Sequence, residues 1–156
     1  MTATADTIAL AEIVAKAADE KNASNIAVLD VSDVMAISEI FVLASADNER
    51  QVRAIVEEIE DALTKHGQEP QRREGNRENR WVLLDYGMLI VHVQRNTERD
   101  FYGLDRLYRD CPLLNVQGIE TMQRSDDLVD EVDIRAVESL DEIPLADPEP
   151  IDEDEF

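Results

Sequence analysis

Residues 81–93, WVLLDYGMLIVHV, limit the fold more than any other part of the chain. They form two apolar runs separated by Tyr86-Gly87. Short runs rich in Val, Leu and Ile and broken by a glycine pair as antiparallel strands. A hairpin with Tyr86 and Gly87 as its turn residues sets Asp85 opposite Met88, Leu83 opposite Ile90 and Trp81 opposite His92. Side chains alternate across a strand, so these six share one side. The other side is Val82, Leu84, Leu89 and Val91, with Val93 next, and reads as core. The first side mixes the only tryptophan, a histidine and an aspartate with aliphatics. Two readings fit it. Either a helix covers it and His92 is paired with a neighbouring acceptor, or it is a partly exposed binding surface on which Trp and Tyr act as anchors. Tyrosine inside such a turn is unusual, because a type I′ turn needs positive φ there.

The flanking segments supply helices. Residues 6–21 carry an apolar stripe of Ile8, Ala11, Ala15 and Ala18, with Ile13 and Val14 beside it, and Asp6 or Thr7 as cap. Residues 47–67 are the clearest helix, with Val52, Ile55, Val56, Ile59 and Leu63 at three- and four-residue steps. Asp47 or Asn48 caps its start, Gly67 suits the left-handed position past its end, and His66 sits in its last turn as a structural residue. Residues 25–31 and 39–46 read as strands, and 68–72 as a short edge strand. Residues 96–110 read as one helix with Phe101, Leu104, Leu107 and Tyr108 on its apolar stripe, capped by Asn96 or Thr97 and ended by Pro112. Gly103 inside it costs about 1 kcal/mol relative to alanine. Helices alternating with strands indicate an α/β domain, and the hairpin makes its sheet mixed, with about five strands and helices packed on it.

Charge divides the chain. The formal charge is −21, and residues 124–156 hold 14 acidic and 2 basic side chains, which leaves only −9 for residues 1–123. A domain over 1–118 is therefore followed by an acidic tail over 119–156. The tail reads as mostly disordered, with a transient helix at 126–140. An acidic chain is repelled by phosphate backbones and anionic membranes, so little direct nucleic-acid contact and no membrane contact are expected, and basic proteins are its natural complement. Arg72, Arg73, Arg77 and Arg80 are the exception: contact with nearby RNA is one reading of the group, and a solvated loop is the preferred one. A single cysteine, Cys111, excludes an intrachain disulfide. No apolar run approaches the roughly 20 residues of a membrane span, and the N-terminus lacks the features of a secretory or transit signal. The expected location is the cytoplasm.

Catalytic patterns are missing. The five glycines form no phosphate-cradling spacing, and no serine sits in a nucleophile elbow. Two histidines and one cysteine on separate elements make no metal quartet, and no cofactor is called for. Asp30 and Asp33 are the nearest candidates for a paired-carboxylate metal site, against strand-end and capping roles.

Residues 81–93, followed by RDFYGLDRLYRD, resemble the signature of the ribosomal silencing factors, also called the Iojap family. Trp81, Asp85, Gly87, Val91, His92, Arg99, Tyr102, Leu104 and Leu107 match its pattern. Upstream, LDVSDV, FVLAS, RQVRAI and Glu74-Gly75 also fall where the family has them, so the resemblance covers about residues 6–111. Departures occur at Ala46-Asp47-Asn48, Glu39-Ile40, Met88, Asp105 and Tyr108. The resemblance implies a nucleotidyltransferase-like topology without catalytic activity. It implies binding to the fourteenth large-subunit ribosomal protein, which blocks subunit joining and represses translation when nutrients are short. It also implies a possible homodimer off the ribosome. The partner-binding residues it points to are Trp81, Asp85, Tyr86, His92, Tyr102, Leu104, Leu107 and Tyr108. The alternative is an enzyme that uses the transferase-like fold.

Overall fold

A computed structural model describes residues 2–75 and 80–123. The stretch over 124–156, including the helix expected at 126–140, lies outside the described residues, as does Arg77. The elements in order are α1 (Ala5–Glu20), β1 (Ser24–Asp30), β2 (Ile40–Ala46), α2 (Glu49–Thr64), β3 (Arg72–Gly75), β4 (Trp81–Asp85), β5 (Leu89–Arg95), α3 (Asn96–Tyr102), α4 (Leu104–Leu107) and β6 (Leu113–Leu114).

The six strands form one sheet in the order β3-β4-β5-β2-β1-β6. β2 and β5 run parallel, and every other neighbouring pair is antiparallel, so the sheet is mixed as expected, with one strand more. β2 lies at the centre and is buried on both faces, which is why IFVLASA reads as a continuous apolar run rather than an alternating one. On one face α1 and α2 pack against Ile26, Val28, Ile40, Val42, Val82, Leu84, Val91 and Val93. The stripe anticipated for α2 is buried in full. Asn48 caps α2 by accepting from the Gln51 amide at 2.9 Å, and Gly67 is left-handed just past its end. The cap of α1 is Thr4, not Asp6 or Thr7; its hydroxyl accepts from the Thr7 amide.

Three local expectations change. First, the hairpin register moves by two residues: Trp81 lies opposite Gln94, Leu83 opposite His92 and Asp85 opposite Ile90. The Tyr86 amide donates to Leu89 O at 2.8 Å, so Gly87 and Met88 form the turn and Tyr86 stays in the strand geometry. Gly87 alone takes the positive φ, +90°, at the position a type II′ turn reserves for glycine. A shift by an even number keeps the paired strand side chains on their faces, but Met88, expected opposite Asp85, moves into the turn and packs on the side of Val82 and Leu84. Second, the helix read over 96–110 is two helices. Gly103 adopts φ 66° and its amide donates to Arg99 O, so it ends α3 instead of sitting inside a longer helix. Third, β3 falls at Arg72–Gly75 rather than 68–72, and β6 was not anticipated. β6 pairs with the outer edge of β1, and the chain then runs on until the Met122 amide donates to Ile26 O at 2.7 Å. This strap covers the edge of β1 and contains the boundary expected at residue 118.

Candidate docking face

The second face of the sheet is covered by α3 and α4. Ala27, Leu29, Phe41, Leu43, Trp81 and Leu104 form its buried cluster, with Met35, Ile90, Tyr102, Leu107 and Tyr108 packed against it. Of the two readings of this face, the covered one holds, except that the partner of His92 is a donor and not an acceptor. The Trp81 Nε1–H donates to His92 Nδ1 at 3.1 Å, so the histidine is an acceptor in its neutral form. Burial, reinforced by the nearby Arg99 charge, pushes the His92 pKa down to about 4.

Trp81, His92 and Leu104 are buried in the folded chain. Tyr86 is buried on the opposite face, in the core under α1 and α2, because it continues the alternation of Val82 and Leu84. Burial, helped by the carboxylates of Glu60 and Glu69, raises its hydroxyl to about 12. Asp85 is half-buried; its Oδ1 accepts from the Gly87 amide at 2.8 Å and its Oδ2 lies 3.6 Å from Arg72. It holds the hairpin turn.

What reaches the surface is the rim of an aromatic chain. Phe101 lies 5.1 Å from Tyr102, Tyr102 lies 4.8 Å from Trp81, and His92 and Tyr108 both lie edge-on to Phe41 at 5.4 and 5.1 Å. Edge-to-face and tilted packing at these distances fixes ring orientation as well as burying area. Tyr102, Leu107 and Tyr108 are half-buried, and Phe101 is 71% exposed. The sequence placed Phe101 on the apolar stripe of a single long helix. The break at Gly103 turns it outward instead.

Arg99 was missed as a structural residue. Its side chain is 4% exposed and makes a bidentate pair with Asp105 at 2.8 and 2.9 Å. It also donates to Ser45 Oγ at 3.3 Å and to Met122 Sδ at 3.2 Å. The pair fastens α3 to α4 across Gly103. An arginine and an acid on either side of a glycine were the local signal, beside the match of Arg99 to the family signature. Arg72 and Arg73 are likewise engaged, with Glu74 at 3.1 Å and Glu60 at 3.7 Å.

The carboxylate candidates are not brought together as a metal site. Asp30 Oδ1 accepts from the Ser32 amide and hydroxyl, and Oδ2 from the Ala3 amide. Burial alone would raise its pKa, but these hydrogen bonds outweigh it and hold the carboxyl low. Among the described residues no group of three or more His, Cys, Asp or Glu is placed to hold a metal ion, and no helix is long and apolar enough to cross a membrane.

His92 makes stability pH-dependent in a known direction. The unfolded chain regains the ordinary value of 6.5, so below that pH it takes up a proton that the folded protein refuses. Stability is full above pH 6.5 and falls as the pH drops toward 4. Between pH 7 and pH 5, where most carboxylates stay ionised, the expected loss from His92 is about 2 kcal/mol. Urea unfolding at the two pH values measures it; equal stabilities would show a solvated histidine.

Fold and face together define an α/β domain with one aromatic-rimmed side. A family model described as ribosomal silencing factor during starvation matches residues 4–139. The ribosomal silencing factor of Bacillus subtilis is 36% identical over 105 residues, spanning 67% of this chain and 89% of its own length. That of Halalkalibacterium halodurans is 33% identical over 110 residues, spanning 70% and 94%. A crystal structure of a Bacillus halodurans protein, 30% identical, superposes with a TM-score of 0.61 over 72% of this chain and 100% of its own. The chain belongs to the ribosomal silencing factor family.

Proposed function

We propose that this protein is a translational repressor. It binds the large ribosomal subunit through the fourteenth large-subunit protein and blocks joining of the small subunit by occupying the space between them. Such a role places it in the cytoplasm, most active under nutrient limitation, with a homodimer as its form off the ribosome. The observation that carries the reading is the rim formed by Phe101, Tyr102, Leu107 and Tyr108. Aromatic side chains held by packing beneath them lose little freedom on binding and make strong anchors. Asp85 acts by holding the β4–β5 turn. Trp81, His92 and Leu104 act from below, by holding the rings in place, and Tyr86 acts through the opposite core. An acidic domain on an RNA-rich particle docks on protein, since phosphates repel it.

A chain of this length has a radius of gyration of roughly 15 Å, enough to fill a gap between two apposed subunits. Inhibition is expected to be stoichiometric with large subunits, reversible on dilution, and absent when subunits are joined beforehand. Cosedimentation with purified large subunits, together with a subunit-joining assay, tests this. Time-dependent, substoichiometric inactivation of ribosomes would overturn it in favour of an enzyme.

A further inference from the structure

The loop from β1 to β2 holds two apolar side chains in water. Val34 is 58% exposed and Ile37 78%. The loop is nonetheless well fastened. The amides of Val34 and Met35 both donate to Val31 O, at 3.0 and 2.9 Å, and the Val31 amide donates to Glu39 O at 2.9 Å. The Glu39 amide donates to Met88 O at 2.7 Å, and the Ser38 hydroxyl to Gly87 O at 3.2 Å. Between the two exposed residues, Met35 turns inward against the cluster that includes Phe41, with Leu107 and Tyr108 packed on the same cluster. Met35 therefore ties the tip to the cluster beneath the aromatic rim, and the contacts of Ser38 and Glu39 place the loop at the end of the sheet where the β4–β5 turn lies.

We infer that Val34 and Ile37 form a second contact of the docking face and seat in an apolar recess with a basic rim on the same ribosomal protein. The inference rests on the function proposed above. Two features argue for that occupant. Val34 and Ile37 flank Met35, which packs on the aromatic cluster, so they enlarge the apolar surface of the rim, and contiguous apolar surface marks an interaction site. Asp30 is buried, but Asp33 and Glu39 reach the surface and residues 30–39 hold no Lys or Arg, so the flanks of the tip are acidic. Acidic flanks repel RNA and anionic lipid, and a second copy would set like charges against each other. A basic protein surface with an apolar recess satisfies both the tip and its flanks.

The test uses the full chain with large ribosomal subunits. Ile37→Asp, and a double variant Val34→Ser with Ile37→Ser that adds no charge, are compared with Tyr102→Ala by cosedimentation, thermal melting and light scattering. Both tip variants are expected to melt with the unaltered protein, since exposed side chains contribute little to folding. Each is expected to lose at least about tenfold in affinity for large subunits, the loss a buried apolar anchor gives. Binding kept by folded tip variants but lost by Tyr102→Ala overturns the tip and leaves the aromatic rim standing. A change confined to self-association, with subunit binding intact, also overturns it. Failure of the unaltered protein to bind large subunits overturns both readings together.

Discussion

Trp81→Ala is expected to lower folding stability by about 3–5 kcal/mol, the cost of removing a buried large aromatic. Three losses combine. The indole leaves a void between β4 and α3. The 4.8 Å contact with the Tyr102 ring disappears. His92 Nδ1 loses the donor at 3.1 Å that satisfied it. Against a total stability of roughly 5–15 kcal/mol, such a loss can leave the domain barely folded. Trp81→Phe separates the contributions, because it keeps a ring under Tyr102 but removes the donor; it is expected to cost about 1–3 kcal/mol. Urea unfolding at unchanged slope reads both. Binding to large subunits should weaken in folded Trp81→Phe through Tyr102, whose ring then lacks its full support. An alanine variant as stable as the unaltered protein would show that Trp81 is not packed as described.

Asp105→Ala is expected to cost about 3–4 kcal/mol. Breaking a buried ion pair leaves an uncompensated charge inside, at about 3–5 kcal/mol, and the lower part of that range applies because water reaches Asp105. The asymmetry decides the size of the effect: the Arg99 side chain is 4% exposed and that of Asp105 33%. After the substitution Arg99 keeps only Ser45 Oγ and Met122 Sδ, neither of which carries a charge. α3 and α4 then lose their link across Gly103, so amide exchange in both helices should speed up before global unfolding. Asp105→Glu, which keeps the charge, should retain most of the stability. A loss below about 1 kcal/mol for the alanine variant would mean that the pair is solvated, as surface pairs are.

Residues 81–93 show how far a local pattern reaches. Period-two alternation assigned the strand side chains to their faces, and that assignment survived a two-residue error in register because the error was even, while Met88, expected beside Asp85, lies in the turn and packs on the opposite core. The register itself depended on which residue could take positive φ, and the pairing of Tyr86 with Gly87 in the turn gave tyrosine a conformation it avoids. The helix at 96–110 failed for a related reason. Gly103 was weighed as a tolerable cost inside a helix, whereas its left-handed geometry ends α3 and turns Phe101 to solvent.

Local chemistry, carried within a few residues, was enough to determine the mixed α/β class, the stripe of α2, the left-handed Gly67 and the charge split between residues 1–123 and 124–156. Only the tertiary structure decided what covers each face. Whether Trp81 and His92 meet water depends on where α3 lands. That is set by Arg99 reaching Asp105 and, 54 residues away in sequence, Ser45. The strap over β1 depends on Met122 meeting Ile26. Contacts between residues so distant in the chain leave no periodic trace in it, because neither partner's neighbours need to change for the pair to form.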